Sequence, residues 1–374
     1  MNQTVIGVVG LGTMGIGIAQ VFAQAGFTVL ATDAGPAARA AATARIQAAL
    51  QARITLGRLT QTEADATMAR LIVADDPAGL APADLVIEAI IEDLAAKHAL
   101  FAALAPALSH DCILATNTSS LSVAAVASGV ADPARVVGLH FFNPAPAMQL
   151  VELVAHSGTD PAAISFARRI TEQAGKQVIL APDRPGFIVN RCARPFYGEA
   201  LALLEEGRSA ADIDAAMLAA GYRIGPLSLI DLIGADINLA ASEGLASAMQ
   251  GHPRHHVFHR LRAQVASGHL GRKTGQGFVF PALPGPPPPD AAAIVLRIEA
   301  VLANEAASLL AEGATEADID RAMQLGLNFP RGPFAAARQH GLTRIRSMLF
   351  QLEDAAPVHL KGRYRVTSSL ADLQ

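Results

Sequence analysis

The stretch that decides the fold class is TVIGVVGLGTMG, residues 4–15. Its first six residues are apolar and rich in β-branched side chains, which predicts a buried strand. Glycines then follow at G-x-G-x-x-G spacing, where the strand gives way to a predicted helix over residues 14–26. Such glycines let the backbone approach a pyrophosphate, and the helix N-terminus supplies amide donors. The sequence therefore predicts a dinucleotide site at Gly10, Gly12, Thr13, Met14 and Gly15.

An acidic residue at the end of the second strand indicates which dinucleotide is bound. The strand-like run 27–32 closes at Asp33, eighteen residues after Gly15 and close to the ~20 typical of the acid that binds the ribose hydroxyls. Its carboxylate would repel a ribose 2′-phosphate, and Ala34-Gly35-Pro36 offer no arginine to receive one. We therefore expect NAD rather than NADP.

The pattern of strands and helices predicts two kinds of structure along the chain. Strand-like runs recur at LIVA (71–74), DLVIEAI (84–90), CILATN (112–117) and RVVGLHFF (135–142), with alanine-rich helical segments between them. This alternation predicts an α/β Rossmann-type N-terminal domain with a parallel, doubly wound sheet. From about residue 186 the strand pattern stops, and the rest predicts an all-α region.

The all-α region contains an internal repeat. EALALLEEGRSAADIDAAM (199–217) aligns without gaps to EAASLLAEGATEADIDRAM (305–323), and Leu296 stands in the second copy where the first has Asn190. The run PALPGPPPPD (281–290) predicts an extended spacer between the copies. We predict four segments: an NAD-binding domain over 1–184, a first helical copy over 185–281, a proline-rich linker over 282–290, and a degenerate second copy over 291–374 with a structural role.

The apolar segment GLHFFNPAPAMQLVELV (138–154) carries two ionisable side chains, His140 and Glu152, on either side of a turn at Pro146. On returning strands the two would be neighbours. A buried carboxylate needs a partner, and a carboxylate beside an imidazole fixes its tautomer and stabilises the imidazolium. A satisfied core pair is the alternative. Beside a nicotinamide site, the pattern favours a general base that takes a proton from an alcohol.

Two further polar segments allow functional and structural interpretations. Asn117-Thr118-Ser119-Ser120 follows a predicted strand, where Ser120 is the expected N-cap of the next helix and Ser119 is then available to a substrate oxygen. A purely structural role is equally open. In GHPRHHVFH (251–259), His255 and His259 are i,i+4 neighbours on a predicted helix, but no acidic or cysteine partner lies nearby. We expect solvated surface histidines and no metal site.

Composition excludes several classes of protein. A formal net charge of −4 gives no electrostatic case for nucleic acid or anionic membranes as partners. No apolar run approaches the ~20 residues that span a bilayer, and no signal-peptide pattern opens the chain. The two cysteines, Cys112 and Cys192, form no CxxC motif. We expect a cytoplasmic location and no membrane partner.

Together these motifs resemble the L-3-hydroxyacyl-CoA dehydrogenase family, of the 3-hydroxybutyryl-CoA dehydrogenase type, over about residues 4–280. The second helical copy also resembles the family's C-terminal domain, which occurs in tandem in longer β-oxidation enzymes. The matching stretches are GLGTMGIGIA (10–19), VIEAIIEDLAAKHALF (86–101), TNTSSLS (116–122), GLHFFNPAPAMQLVELV (138–154), PGFIVNR (185–191), GPLSLIDLIG (225–234) and LGRKTGQGF (270–278). Val279 departs from the aromatic residue that the family often has there.

The resemblance implies NAD-dependent, reversible oxidation of the 3-hydroxyl of an (S)-3-hydroxyacyl-CoA, in fatty-acid or aromatic-compound catabolism. It implies that His140 is the base, that Glu152 is its partner, and that Ser119 and Asn190 complete the substrate site. The implied cofactor contacts are Asp33, Glu92, Lys97, Ser119, Asn143 and Lys273. Arg45, Arg53 and Arg58 are candidates for the CoA phosphates but match no motif. The acyl group stays open.

Two alternatives and one hypothesis accompany that interpretation. A dehydrogenase of a free 3-hydroxy acid shares the GLGxMG opening but uses a catalytic lysine, and a non-catalytic nucleotide-binding protein would not be expected to keep all four site residues. Single-copy members of the family dimerise through the helical domain. We therefore expect either a monomer, in which the second copy packs on the first as an internal pseudo-dimer, or a homodimer.

Overall fold

The computed structural model describes residues 4–374, which form two compact units, one ending at Arg184 and the other beginning at Pro185. The first unit holds an eight-stranded sheet in the order β3-β2-β1-β4-β5-β6-β7-β8. Its strands are β1 Val5–Val9, β2 Thr28–Thr32, β3 Leu71–Val73, β4 Leu85–Glu88, β5 Ile113–Thr116, β6 Val136–Phe141, β7 Leu150–Ala155 and β8 Gln177–Pro182. All neighbours pair in parallel except β6 and β7, which are antiparallel.

Helices connect the strands of this sheet and cover it. They are α1 Thr13–Gln24, α2 Pro36–Thr55, α3 Gln61–Met68, α4 Leu94–Leu104, α5 Val123–Ala127 and α6 Pro161–Gln173. Every residue of β4, β5 and β6 is buried, as expected of parallel strands with both faces covered. The predicted α/β class with a doubly wound sheet is confirmed. Beyond β6 the sheet continues with β7 and β8, which are parallel to each other and antiparallel to the other strands.

The sheet topology brings four predicted features to one edge of the sheet: the glycine loop, Asp33, the segment 117–120 and His140. β1, β2, β4, β5 and β6 run in the same direction, so their carboxyl ends meet there. In doubly wound folds this is the edge that binds ligands.

The second unit is helical, as predicted. Its helices are α7 Val189–Glu205, α8 Ala210–Ala219, α9 Pro226–Ile233, α10 Ala235–Ala248, α11 His259–Ala266, α12 Ala291–Leu310, α13 Glu316–Leu327, α14 Pro333–His340, α15 Leu342–Ala355 and α16 Ser368–Asp372. None of the helices within residues 4–374 has the length and apolarity that a membrane span requires.

The repeat in sequence is a repeat in structure. In the first copy the carboxylate of Asp214 accepts hydrogen bonds from the backbone amides of Leu227 and Ser228, at 3.0 and 2.7 Å. Asp320, the equivalent residue of the second copy, accepts from the amides at the start of α14 at 2.8 and 3.0 Å. Each aspartate thus caps a following helix that begins with Gly-Pro. The repeated aspartate is a folding element of both copies.

The two copies also exchange buried ion pairs in a reciprocal way. Arg191 Nε donates to Glu305 Oε1 at 2.6 Å, and Arg297 Nε donates to Glu199 Oε1 at 2.7 Å. Arg191 and Arg297 occupy equivalent positions in the two copies, as do Glu199 and Glu305. Both glutamates are fully buried. Such exchange of equivalent contacts is the pattern of a two-fold interface, here between two parts of one chain.

Candidate active site

The glycine loop between β1 and α1 is shaped by close packing at two of its glycines. Gly10 has φ +94°, and a Cβ there would lie 2.6 Å from the Ala89 carbonyl oxygen. A Cβ on Gly15 would lie 1.7 Å from the Gly10 oxygen, so neither position accepts a side chain. A Cβ on Gly12 would meet nothing within 4 Å. The loop thus leaves open space at the N-terminus of α1, where amide donors favour a pyrophosphate.

Asp33 is fixed against this loop by backbone amides. One carboxylate oxygen accepts from Leu11 N at 2.7 Å and the other from Gly35 N at 2.7 Å. Arg45, a candidate for the CoA phosphates, instead donates to the Leu11 carbonyl at 2.7 Å. The carboxylate therefore stands beside the dinucleotide loop with its position set before any ligand binds. That is the location required of a group that accepts hydrogen bonds from ribose hydroxyls.

His140 and Glu152 face each other across the antiparallel pair β6 and β7. They are register partners, and His140 Nδ1 lies 2.7 Å from Glu152 Oε2. Glu152 is fully buried and His140 is 6% exposed. Because a carboxylate only accepts, the neutral ring carries its proton on Nδ1 and presents its lone pair on Nε2. Asn117 Oδ1 accepts from Phe141 N at 2.9 Å and ties the end of β5 to the end of β6.

Glu92 organises the segment that contains Ser119. Its Oε1 accepts hydrogen bonds from Thr118 Oγ1 at 2.6 Å, Ser119 N at 2.9 Å, Ser120 N at 3.0 Å and Ser120 Oγ at 2.8 Å. Partial burial raises the pKa of Glu92, but the hydrogen bond from Thr118 and the charge of Lys97 lead the opposing effects, and the net pKa lies below its ordinary value. Glu92 therefore stays ionised and holds Ser119 at the exposed end of β5.

The remaining predicted site residues lie in separate places. Asn143 is exposed after β6, and Lys273 Nζ binds both carboxylate oxygens of Asp236 at 2.6 Å. Asn190 is the second residue of α7, and its carbonyl accepts from Arg194 Nε at 3.3 Å. Lys273 and Asn190 belong to the helical unit, whereas His140 and Ser119 belong to the sheet unit.

Comparison with known proteins decides between the alternatives. Residues 5–184 match the family model described as 3-hydroxyacyl-CoA dehydrogenase, NAD binding domain. Residues 186–280 and 294–373 both match the model of that family's C-terminal domain. The chain belongs to the 3-hydroxyacyl-CoA dehydrogenase family.

Individual relatives agree with the family match. A 3-hydroxyadipyl-CoA dehydrogenase of Escherichia coli (strain K12) is 34% identical over an alignment of 466 residues that covers 99% of this chain and 97% of the relative. A 3-hydroxybutyryl-CoA dehydrogenase of Mycobacterium tuberculosis is 38% identical over 278 residues and covers 73% of this chain and 96% of its own length. The crystal structure of a 3-hydroxybutyryl-CoA dehydrogenase from Escherichia coli K12 matches 99% of this chain and 98% of its own, at 34% identity and a TM-score of 0.91.

These comparisons confirm the predicted resemblance, the NAD-dependent dehydrogenase class and NAD as the cofactor. The second match to the C-terminal model confirms that the helical domain occurs twice. The roles of individual residues and the exact bounds of the four segments stay predictions.

The sequence did not single out Glu88, the buried carboxylate at the end of β4. Lys97 Nζ binds Glu88 Oε1 at 2.7 Å and Oε2 at 2.9 Å, and it lies 3.3 Å from Glu92 Oε2. Thr116 Oγ1 donates to the same glutamate. Lys97 is 1% exposed, so in this structure it holds two carboxylates in place. Its predicted contact with the cofactor stays a prediction.

Three sequence-based predictions about structure were wrong. The N-cap of α5 is Ser122, whose side chain accepts from Ala125 N, while Ser120 Oγ bonds Glu92. His255 is not a solvated surface residue but is 5% exposed, and its Nε2 lies 3.5 Å from Glu305 Oε1. Nor do His255 and His259 share a helix, because a 3₁₀ turn ends at His255 and α11 begins at His259.

The remaining predictions concern a metal site, the two cysteines and the arginines considered for the CoA phosphates. Among residues 4–374, no group of three or more metal-ligating side chains is arranged to hold a metal ion. Cys112 and Cys192 are both buried and form no disulfide within that range. Arg53 donates to Gln24 Oε1 at 3.3 Å, and Arg58 is exposed. The CoA phosphates are not assigned to any of these arginines.

Asp33 allows a direct test of cofactor choice. We expect Asp33→Asn to raise the Kd for NADH about 10-fold, because hydrogen bonds to a charged group contribute about 1.5–3 kcal/mol. The same change should tighten NADPH binding, since the charge that repels a 2′-phosphate is gone. Fluorescence titration of both nucleotides measures the two effects, with the exposed Asp111→Asn as a control. An unchanged ratio of the two Kd values would refute the role of Asp33.

Proposed function

We propose that this dehydrogenase oxidises the 3-hydroxyl of an (S)-3-hydroxyacyl-CoA with His140 as general base and Glu152 as the residue that orients it. The observation that supports the proposal is the 2.7 Å contact between these side chains, at the sheet edge where β1 also ends in the glycine loop. Nδ1–H is held by Glu152, so Nε2 is the nitrogen that takes the hydroxyl proton. The resulting imidazolium is stabilised by the buried carboxylate.

The other site residues are proposed to bind and position the reactants. Bound NAD supplies the acceptor for the hydride that leaves C3. The proposed contacts that hold it are the loop residues Gly10, Gly12, Thr13, Met14 and Gly15 together with Asp33, Glu92, Lys97, Ser119, Asn143 and Lys273. Ser119 and Asn190 orient the substrate oxygen or the thioester carbonyl. Since the reaction is reversible, His140 returns the proton when the ketone is reduced.

We further propose that the acyl group carries an ω-carboxylate, as in 3-hydroxyadipyl-CoA. The support is that the Escherichia coli 3-hydroxyadipyl-CoA dehydrogenase aligns along 99% of this chain. The crystal structure of an Escherichia coli 3-hydroxybutyryl-CoA dehydrogenase also covers 99% of it, so a comparison of the two substrates decides between them. The substrate would then come from a route that shortens dicarboxylic acyl groups, as in aromatic-compound catabolism, rather than from ordinary fatty-acid oxidation.

Steady-state NAD reduction with a panel of 3-hydroxyacyl-CoAs tests both proposals. We expect kcat/KM for 3-hydroxyadipyl-CoA to exceed that for 3-hydroxybutyryl-CoA about 10-fold, since one recognised polar group contributes roughly 1–3 kcal/mol. Free 3-hydroxyadipate should react far more slowly, because it lacks the binding energy of the CoA moiety. A preference for the butyryl substrate would refute the ω-carboxylate alone, whereas faster reaction of the free acid would refute acyl-CoA oxidation itself.

The organisation of the chain is proposed on structural grounds. We assign residues 1–184, 185–281, 282–290 and 291–374 to the four segments predicted above. Because the second copy supplies the reciprocal partners of the first, we propose that the enzyme is a monomer with an internal pseudo-dimer. Sedimentation equilibrium should give the mass of a single chain, and a dimer mass would overturn this. The buried, unbridged cysteines fit a reducing compartment such as the cytoplasm.

A further inference from the structure

A small cavity inside the helical unit is lined by cationic and neutral side chains. Its volume is about 20 Å³, enough for one or two particles of the size of water, which need ~10–15 Å³ each. Arg194, Arg254, Arg363, His255 and His256 line it, and no carboxylate of the described residues does. Several positive groups thus converge on a space that is too small for an organic ligand.

One of these side chains has a buried donor without a hydrogen-bond partner. Arg254 is 9% exposed and His255 is 5% exposed. Arg254 uses Nη1 on Glu305 at 3.1 Å and Nη2 on the Arg365 carbonyl at 3.4 Å, which leaves Nε unpaired. Neither ring nitrogen of His255 has a hydrogen-bond partner, and Nε2 lies 3.5 Å from Glu305 Oε1. Buried donors of native proteins almost always find an acceptor, so the cavity is where an acceptor is missing.

Arg194 adds a positive charge that no carboxylate of residues 4–374 pairs with. Its guanidinium donates only to the carbonyls of Asn190 and Asn238 and to the Ser242 hydroxyl, at 3.3, 3.3 and 3.1 Å. Its Cζ lies 4.9 Å from the centre of the Tyr197 ring. Burial lowers the pKa of Arg194, as expected where no anion compensates the charge. The other two arginines of the cavity bind Glu305 and Glu199.

We propose that this cavity binds a small monovalent anion, of which chloride is the test case, held by Arg194 and Arg254 Nε. A water molecule could accept the hydrogen bond of Arg254 Nε, but it would leave Arg194 without an anionic partner. The volume of about 20 Å³ favours a monatomic anion over phosphate, sulfate or the carboxylate of a metabolite. All residues of this site belong to the helical unit, whereas the proposed catalytic pair belongs to the sheet unit.

Thermal unfolding at constant ionic strength tests the proposal. A ligand that binds only the folded state raises Tm as its concentration rises. We expect sodium chloride to raise the Tm of the full chain by about 2–4 °C over sodium gluconate, which is the shift that a unit of this size shows for modest stabilisation. Arg194→Met should abolish this difference. Arg260→Met, which changes an exposed arginine of α11, should retain it.

Crystals of the wild-type protein grown with bromide provide a second measurement that does not depend on a folded variant. We expect an anomalous peak in the cavity between Arg194 and Arg254. A water without anomalous signal there would overturn the proposal. Bromide in the cavity without any dependence of Tm on chloride would mean an adventitious ion only, and would overturn it too.

Discussion

Replacing His140 with glutamine should lower kcat about 10³-fold while leaving the Kd for NADH unchanged. General base catalysis contributes roughly 10²–10⁴-fold, and the amide keeps the volume of the ring without its basicity. Glu152→Gln should also lower kcat, because the amide no longer stabilises the imidazolium that forms when the proton moves. Both effects are on the chemical step, so KM for the acyl-CoA should change little.

Stopped-flow measurement of a single turnover separates this effect from slow product release. His110→Gln is a matched control, because His110 is exposed and precedes the amino end of β5, away from the ligand-binding edge. Circular dichroism must show that each variant is folded, since Glu152 is fully buried. If His140→Gln kept a rate within about 10-fold of wild type, less than the range of general base catalysis, another group would have to be the base.

The parts of the site that the sequence predicts are those set by local geometry. The glycine loop follows from its spacing and from the strand before it. The pairing of His140 with Glu152 follows from their symmetric placement about a turn, because antiparallel strands put such residues in register. Asp33 can be predicted because it directly follows the end of β2. In each case the partners lie on adjacent elements, so pattern and spacing are sufficient.

The parts that the sequence could not predict depend on contacts between distant segments. Glu88 was overlooked because LVIEAI reads as an ordinary buried strand, and only the fold brings Lys97 to its carboxylate. Ser122 is the cap rather than Ser120 because Glu92 takes the Ser120 hydroxyl. His255 was expected at the surface because its acidic neighbour, Glu305, lies fifty residues further along the chain. No nearby residue signals that contact.

That contact leads to the largest expected effect on stability. Glu305→Ala should lower the free energy of unfolding by about 3–5 kcal/mol, the range for removing one partner of a buried ion pair. Glu305 is fully buried and lies 2.6 Å from Arg191 Nε and 3.1 Å from Arg254 Nη1. Burial raises its pKa, but His255, Arg254 and Arg191 together hold the pKa below its ordinary value. The alanine variant leaves Arg254 buried without its carboxylate partner, while Arg191 keeps only its pair with Glu312.

The reciprocal arrangement makes a symmetric prediction. Glu199→Ala, in the first copy, should destabilise by a similar amount, because Arg297 and Arg363 lose the same kind of partner. Glu243→Ala is the control, since its pair with Arg262 is exposed and such pairs contribute at most about 1 kcal/mol. The chain has no tryptophan, so urea unfolding is best followed by circular dichroism of the helices.

Lowering the pH should reduce the difference in the free energy of unfolding between the wild type and a Glu305→Gln variant. The pKa of Glu305 is lower in the folded than in the unfolded protein, so its contribution is complete above the unfolded value of ~4.3 and is lost as the pH falls through the folded value. Unfolding curves at successive pH values below ~4.3 measure this.

If Glu305→Ala and Glu199→Ala each lowered the free energy of unfolding no more than Glu243→Ala, the buried pairs would not hold the two copies together. The apolar faces of α7 and α12 would then have to hold the two copies together.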